Sequence, residues 1–286
     1  MLLDKGANLE STDKEYDRER LLVAAWYGNK TVFDLLVESD NVDVDFKDKS
    51  GRTPLLRAAE GGHLAVLERL LRMAYVNAAA AGDRGRTALQ AAAEGGHLEV
   101  IERLLEEKAE VNAAAAKYHG ATALQAAAGG GHLTVVLRLL KEKGNVNAAA
   151  GEYHGRTALQ AAAEGGHLEV IEWLLEEKAE VNAAAAKYHG ATALQAAAGG
   201  GHLTVVLRLL KEKGNVNAAA GEYHGRTALQ AAAEGGHLAV VEWLLKEKAK
   251  VNAVGAKYCG TTALQAAAKG GYEKIVAYLC EAGATE

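Results

Sequence analysis

The block TALQAAAEGGHLEVIERLL, beginning at Thr87, returns from Thr122, Thr157, Thr192, Thr227 and Thr262 at a fixed step of 35 residues. Two looser copies precede it, TPLLRAAEGGHLAVLERLL from Thr53 and ERLLVAAWYGNKTVFDLL from Glu19, each at a step of 34. Eight units in register restrict the chain to an architecture in which one small supersecondary unit stacks on the next, since a unit of this length cannot bury a core alone. Ahead of the first unit, LLDKGANLE from Leu2 matches the end of a unit, LLEEKAEVN from Leu104, so the chain is expected to open in mid-repeat, as a truncated array would.

Within a unit, Thr87 is suited to cap a short Ala-rich helix, and the Gly95–Gly96 pair to end it, because glycine reaches positive φ without a steric penalty. A second helix is predicted from about His97 to Lys108. Leu98, Val100, Ile101, Leu104 and Leu105 fall at the three- and four-residue spacings of one buried face, with Glu99, Glu102, Glu106 and Glu107 on the other. Alanines 91–93 leave the first helix slim enough for close approach from both sides. Glu106, Lys141, Glu176 and Lys211 share one position of the repeat, so opposite charges are expected to face each other between neighbouring units. As exposed pairs these are worth only ~0–1 kcal/mol each.

The Thr-Pro-Leu of residues 53–55, the alanine pair, the Gly-His step, the apolar second helix and the Val-Asn that follows resemble the ankyrin-repeat pattern. The resemblance runs from Glu19 to the C-terminus. The uniform TALQAAAEGGHLEV units also resemble ankyrin arrays appended to fungal NACHT-type signalling proteins. What the resemblance implies is an all-α ankyrin solenoid of eight helical pairs with β-hairpin fingers. Residues 1–86 would be divergent N-terminal repeats, the first partial, and residues 87–286 uniform ones, in one continuous solenoid.

Three departures from the family pattern stand out. Gln90, Gln125, Gln160, Gln195, Gln230 and Gln265 replace the histidine usual after the leucine, and a buried glutamine there needs local hydrogen-bond partners. Val44 to Thr53 spans nine positions, the family's usual length. Val111 to Thr122 and each later finger span eleven, and the family's aspartate, present as Asp48, is lost. The finger tips carry Tyr118–His119, Tyr153–His154, Tyr188–His189, Tyr223–His224 and Tyr258–Cys259.

The resemblance places fingers and first helices on the concave recognition face. Tyrosine combines large contact area with few rotors, which suits an interface. Equally, each tyrosine would rigidify its finger by packing on the next, and copy identity does not decide the matter. Residues 85–154 and 155–224 differ only at Arg103 against Trp173, as a duplicated two-repeat block would. Polar contacts are expected from Arg86, Arg156 and Arg226 at the finger bases and from Glu94, Glu164 and Glu234 near the ends of first helices. Trp173 and Trp243 occupy the second-helix position that holds Arg103 and Arg208, which favours half-exposed packing.

Catalytic chemistry finds little support. Six of the ten histidines (His63, His97, His132, His167, His202, His237) hold the Gly-His position, where a structural hydrogen bond is usual, and equivalent histidines ~8–10 Å apart cannot share one zinc ion. Ser11, Ser39 and Ser50 are the only serines and Asp83 is the last aspartate, so the uniform repeats cannot build a Ser-His-Asp arrangement. No phosphate-binding loop occurs. Net charge of −5 gives no footprint for nucleic acid or anionic lipid. The two cysteines, Cys259 and Cys280, build no disulfide framework, and the charged N-terminus is no signal peptide, which fits a cytoplasmic, intracellular setting.

The reading is therefore a non-catalytic scaffold, with neither metal nor cofactor, that recognises a protein partner or another copy of itself. Its rivals are a small-molecule binder or enzyme using a Tyr/His-lined groove, walled by Tyr16, Asp17, Trp26, Tyr27, Phe46 and Tyr75, and a structural spacer without a partner.

Overall fold

In the computed structural model, which describes residues 14–38, 43–78, 85–116, 120–149, 155–186, 190–219, 225–256 and 260–285, every unit of the repeat forms two short helices. The described residues hold sixteen helices and no strand. The chain divides into two compact units, residues 1–113 and 114–286. The first contains α1 (Lys14–Trp26), α2 (Lys30–Glu38), α3 (Pro54–Glu60), α4 (Leu64–Leu71), α5 (Ala88–Gly95) and α6 (Leu98–Glu106). The second contains α7 (Ala123–Gly129), α8 (Leu133–Lys141), α9 (Ala158–Gly165), α10 (Leu168–Glu176) and α11 (Ala193–Gly199). It continues with α12 (Leu203–Lys211), α13 (Ala228–Glu234), α14 (Leu238–Lys246), α15 (Ala263–Lys269) and α16 (Glu273–Glu281). The eight helical pairs expected from the repeat are all present.

The first helices start as the threonines dictate. The Thr157 hydroxyl accepts from the Gln160 amide at 3.3 Å, and the Gln160 carboxamide oxygen accepts from the Thr157 amide at 2.9 Å. The same reciprocal cap recurs at Thr87, Thr122, Thr192, Thr227 and Thr262. Two orphan backbone donors are thereby satisfied, one by the threonine hydroxyl and one by the glutamine. Its remaining amide protons reach the carbonyls of Ala183 and Ala184, both at 3.1 Å, and tie the helix to its own finger. Of the glutamines that replace the family's histidine, Gln90, Gln125, Gln160, Gln195 and Gln230 are thus buried and structural, and Gln265 in the last repeat makes the same cap while exposed.

At the far end of each first helix the second glycine turns left-handed, with φ of 72° at Gly96 and Gly166. The next repeat's histidine ring occupies the space a side chain would need: a Cβ on Gly166 would lie 2.4 Å from His202 Nδ1. Because a carbonyl only accepts, His202 Nε2 carries the proton it donates to the Glu164 carbonyl at 2.9 Å. His63, His97, His167 and His237 make the equivalent bond to Trp26, Glu60, Gly129 and Gly199. The Gly-Gly-His step is therefore a joint between repeats.

Second helices end in a residue that the sequence pattern does not flag. Lys108, Lys143, Lys178, Lys213 and Lys248 take φ of 61–66°. The Lys178 amide donates to Leu175 and the Ala179 amide to Leu174, closing the helix in a Schellman turn. The preceding repeat then clamps that turn: Asn147 Nδ2 donates to the Lys178 carbonyl at 3.0 Å and its Oδ1 accepts from the Glu180 amide at 2.9 Å. Asn182, Asn217 and Asn252 repeat the clamp on Lys213, Lys248 and Gly283.

Stacking supplies the core. First helices pack on first helices, α1 on α3 on α5 and α7 on α9 on α11 on α13 on α15, with the second helices in looser register beside them. Val170, Ile171 and Leu174 are at most 1% exposed, each worth about 1.5–3 kcal/mol by burial. In the uniform repeats the ion pairs of second helices are local, Arg103 with Glu106 and Glu107, Arg138 with Glu142, Arg208 with Glu212, whereas in the first unit Arg69 on α4 reaches Asp34 on α2 at 3.3 Å. Among the described residues none joins Glu176 to Lys211. The expected alternation between units yields to partners one turn away, which sit closer on a helix surface.

Candidate functional site

The polar side chains expected at the recognition face lie where finger base meets first helix. Arg156 grips Glu164 through Nε to Oε2 at 2.5 Å and Nη2 to Oε1 at 2.9 Å. Arg226 holds Glu234 by the same fork, with Nη2 to Oε1 at 2.7 Å. In the first unit Arg86 pairs with Glu94 and, at 2.8 Å, with Glu60 of the repeat before. All three predicted arginines and all three predicted glutamates are thus brought together as pairs. The Arg156 and Glu164 side chains remain 46% and 50% exposed, so each pair keeps donors and lone pairs open to solvent.

In the second unit these pairs alternate with a bare repeat. The position of Arg156 is Ala191 one repeat on, and that of Glu164 is Gly199. A cavity of about 360 Å³ results, floored by Ala191, Ala196 and Gly199–Gly200 and flanked by Arg156–Glu164 and Arg226. The two-repeat block of the sequence therefore becomes a notch between charged ridges.

The first unit carries a larger cavity, about 790 Å³, between α1, the loop of residues 46–52 and α3. Leu22, Val23, Trp26 and Phe46 give it an apolar wall. Arg57 lies over the Trp26 ring at 4.6 Å and Arg18 over the Phe46 ring at 5.5 Å. Asp48 shapes the loop, accepting from the Ser50 and Arg52 amides at 2.8 and 2.9 Å and from Arg52 Nε at 2.6 Å. Burial pushes its carboxyl up, but the Arg52 guanidinium and these backbone donors outweigh it and hold it below the usual aspartate value.

Beside this cavity Val23 is 54% and Tyr27 72% exposed, at positions that hold Arg57 and Gly61 in the next repeat. Of the expected wall, Trp26, Tyr27 and Phe46 line this cavity, Tyr16 lines a neighbouring one with Tyr27, and Asp17 pairs with Arg20 on its own helix. Tyr75 lies apart from them, in the turn after α4, its amide donating to Asp45.

Tyr118, His119, Tyr153, His154, Tyr188, His189, Tyr223, His224, Tyr258 and Cys259 lie outside the described residues, as do the tips on which β-hairpins were expected. The described limbs of the fingers contain no strand. Trp173 and Trp243 are 42% and 38% exposed on α10 and α14, the second stacked by Lys246 at 4.8 Å, which matches half-exposed packing. Cys280 is a free, exposed thiol.

Among the described residues no group of three or more His, Cys, Asp or Glu side chains is placed to hold a metal ion. The Gly-His histidines named above spend Nε2 on a backbone carbonyl, which leaves that nitrogen unavailable as a general base. None of the helices described is long and apolar enough to cross a membrane. The sequence marked Trp26, Tyr27 and Phe46 as a wall, but not the cations Arg18, Lys47, Lys49, Arg52 and Arg57 that line the same cavity, although this is where the chain departs most from its own repeat.

A family model described as ankyrin repeats in three copies matches residues 21–115, 113–185, 184–255 and 222–286. No curated protein matches the chain.

Proposed function

The chain belongs to the ankyrin-repeat family, whose members generally serve as protein-interaction modules, and from that premise we propose that it is a non-catalytic scaffold recognising a protein partner on its finger-and-first-helix face. The observation that carries this reading is the set of forked Arg–Glu pairs. They recur at every second repeat, and in the second unit they are exposed and flank a notch floored by alanine and glycine. Arg156 and Arg226 each grip a glutamate of their own repeat. Forked pairs are rigid, so they present donors and acceptors at fixed points with little ordering cost on binding. On this reading the tip residues Tyr118, Tyr153, Tyr188, Tyr223 and Tyr258, with their neighbouring histidines, extend the same face.

The test is capture of a partner from the source cell by immobilised chain, comparing two charge-reversed variants. Arg156→Glu with Arg226→Glu should lower capture at least tenfold. Glu169→Lys with Lys211→Glu, on exposed positions of second helices, should leave it unchanged. Equal loss in both, or no captured protein at all, refutes the proposal.

A further inference from the structure

The 790 Å³ cavity of the first unit is unlike anything in the uniform repeats. Those repeats offer alanine and glycine at their surface, whereas this cavity sets Trp26 and Phe46 beside a concentration of positive charge. Five cationic side chains line it, from Arg18 on α1 through Lys47, Lys49 and Arg52 on the loop to Arg57 on α3, with Glu19 and Asp48 in the lining and Asp43 and Glu60 paired to Arg18 and Arg57 from beside it. The chain as a whole carries −5, so this positive patch runs against the overall charge.

We propose that this cavity is a docking site for an acidic peptide segment of the partner, one bulky apolar side chain flanked by carboxylates. The proposal rests on the scaffold reading and specifies the chemistry of what is recognised. The apolar wall takes the bulky side chain, since a cavity of this size admits one large residue and its backbone neighbours. The cations take the flanking acids. Arg52 and Arg57 already hold Asp48 and Glu60, at 2.6 and 2.8 Å, and each guanidinium has five N–H donors, so it is oriented by its own carboxylate and retains donors for another.

A nucleic acid fits less well. One face of the Trp26 ring and one of the Phe46 ring are taken by Arg57 and Arg18, which leaves fewer faces for bases to stack on. The cations also surround an apolar centre and do not track along a groove, so they match a short segment with acids on both sides of an apolar anchor. The net surplus of positive charge favours association with such a segment over a basic one.

The test uses the full chain and fluorescein-labelled nonapeptides read by anisotropy at low salt. One has phenylalanine at its centre with two glutamates or aspartates on each side. The references replace those acids by lysine, or the phenylalanine by alanine, and a labelled ten-residue oligothymidylate is the nucleic-acid arm. The acidic phenylalanine peptide should bind at least tenfold tighter than every reference. Lys47→Glu with Lys49→Glu, on exposed loop positions that leave the core alone, should weaken it at least tenfold, and Trp26→Ala should do likewise. Arg156→Glu in the second unit should change nothing. Equal binding of the peptides, tighter binding of the oligonucleotide, or indifference to the lysine reversals overturns the proposal. A chain that captures its partner through the Arg–Glu face yet shows no acidic preference refutes the cavity assignment alone, whereas failure of both assays refutes the scaffold as well.

Discussion

Five lysines held in the left-handed region offer a measurable account of strain in this fold. Lys108, Lys143, Lys178, Lys213 and Lys248 sit at φ of 61–66°, where a side chain costs ~1–2 kcal/mol relative to glycine. The chain supplies its own comparison, since Gly283 fills the equivalent position in the last repeat at φ of 87° and receives the same asparagine clamp. Replacing all five lysines by glycine removes the strain, but glycine also gains unfolded-state freedom worth ~0.5–1 kcal/mol per site. The net gain is about 0.5–1 kcal/mol per site, or about 2.5–5 kcal/mol over five. Replacing them by alanine removes the same five charges and their favourable interaction with the helix C-termini while keeping the strain. The glycine-minus-alanine difference therefore isolates backbone conformation. With an unfolding entropy of about 0.6 kcal/mol/K for a chain of 286 residues, the glycine variant should melt about 4–8 °C above the alanine variant. Thermal unfolding followed by circular dichroism decides the matter. If the two variants melt together, or the alanine variant melts higher, these turns are not strained and the argument fails.

Gln160→Ala leaves the Thr157 amide and two finger carbonyls without their partner, so it should cost about 2–3 kcal/mol by denaturant unfolding, and Gln160→Glu nearly as much because the carboxylate cannot donate. Gly166→Ala meets both a positive φ and the His202 ring, and should destabilise by about 2 kcal/mol or more, an effect that the additional change His202→Ala partly relieves. In acid, the hydrogen bond from Lys30 lowers the Asp34 pKa, and Arg52 lowers that of Asp48 against the opposing effect of burial. Depressed folded values mean stability that is present above the unfolded pKa and lost as pH falls through the folded one, so melting of the first unit should decline below the ordinary aspartate range and Asp34→Asn with Asp48→Asn should flatten that decline. Replacing Tyr118, Tyr153, Tyr188 and Tyr223 by alanine should weaken partner capture at least tenfold, as loss of aromatic anchors does, with little change in melting temperature; unchanged capture would remove the fingers from the recognition face.

Repetition made the fold legible. Thr87 and its equivalents, the Gly-Gly-His step and the apolar face of Val100, Ile101 and Leu104 each recur with the period; the threonine marks a cap that every repeat makes within itself, and the other two mark contacts with its neighbours. The glutamines were readable for the same reason: a polar residue at a buried, recurring position has to find backbone partners. What escaped was of two kinds. The left-handed lysines carry no chemical signal, because lysine is ordinary at the end of an exposed helix and only Gly6 and Gly283 at equivalent positions hint at the conformation. The cavity of the first unit depends on residues brought together from Arg18 to Arg57 without any periodicity. The Arg–Glu pairs fall between these cases. Arg156 and Glu164 were recognisable as exposed and polar, but their mutual grip follows from the path of the chain between finger base and helix end.

The near identity of residues 85–154 and 155–224 has a consequence for recognition. A ligand that touches only the uniform repeats meets the same arginine, glutamate, alanine and glycine surface at one block and again 70 residues later, so no position along that surface is favoured over its copy by contact energy. Such a surface raises affinity for a partner that is itself repetitive, or increases the number of equivalent ways a short segment binds, but it cannot fix which segment lies where. Position has to be set by something that occurs once. Trp26, Phe46, Arg18 and Arg57 occur once, and their cavity demands an apolar residue between acids, which few stretches of a partner satisfy. On the proposed reading, specificity and register belong to the first unit and accumulated affinity to the second. A partner bound at the cavity meets the repeats at a high effective concentration, and their individually weak contacts count from there.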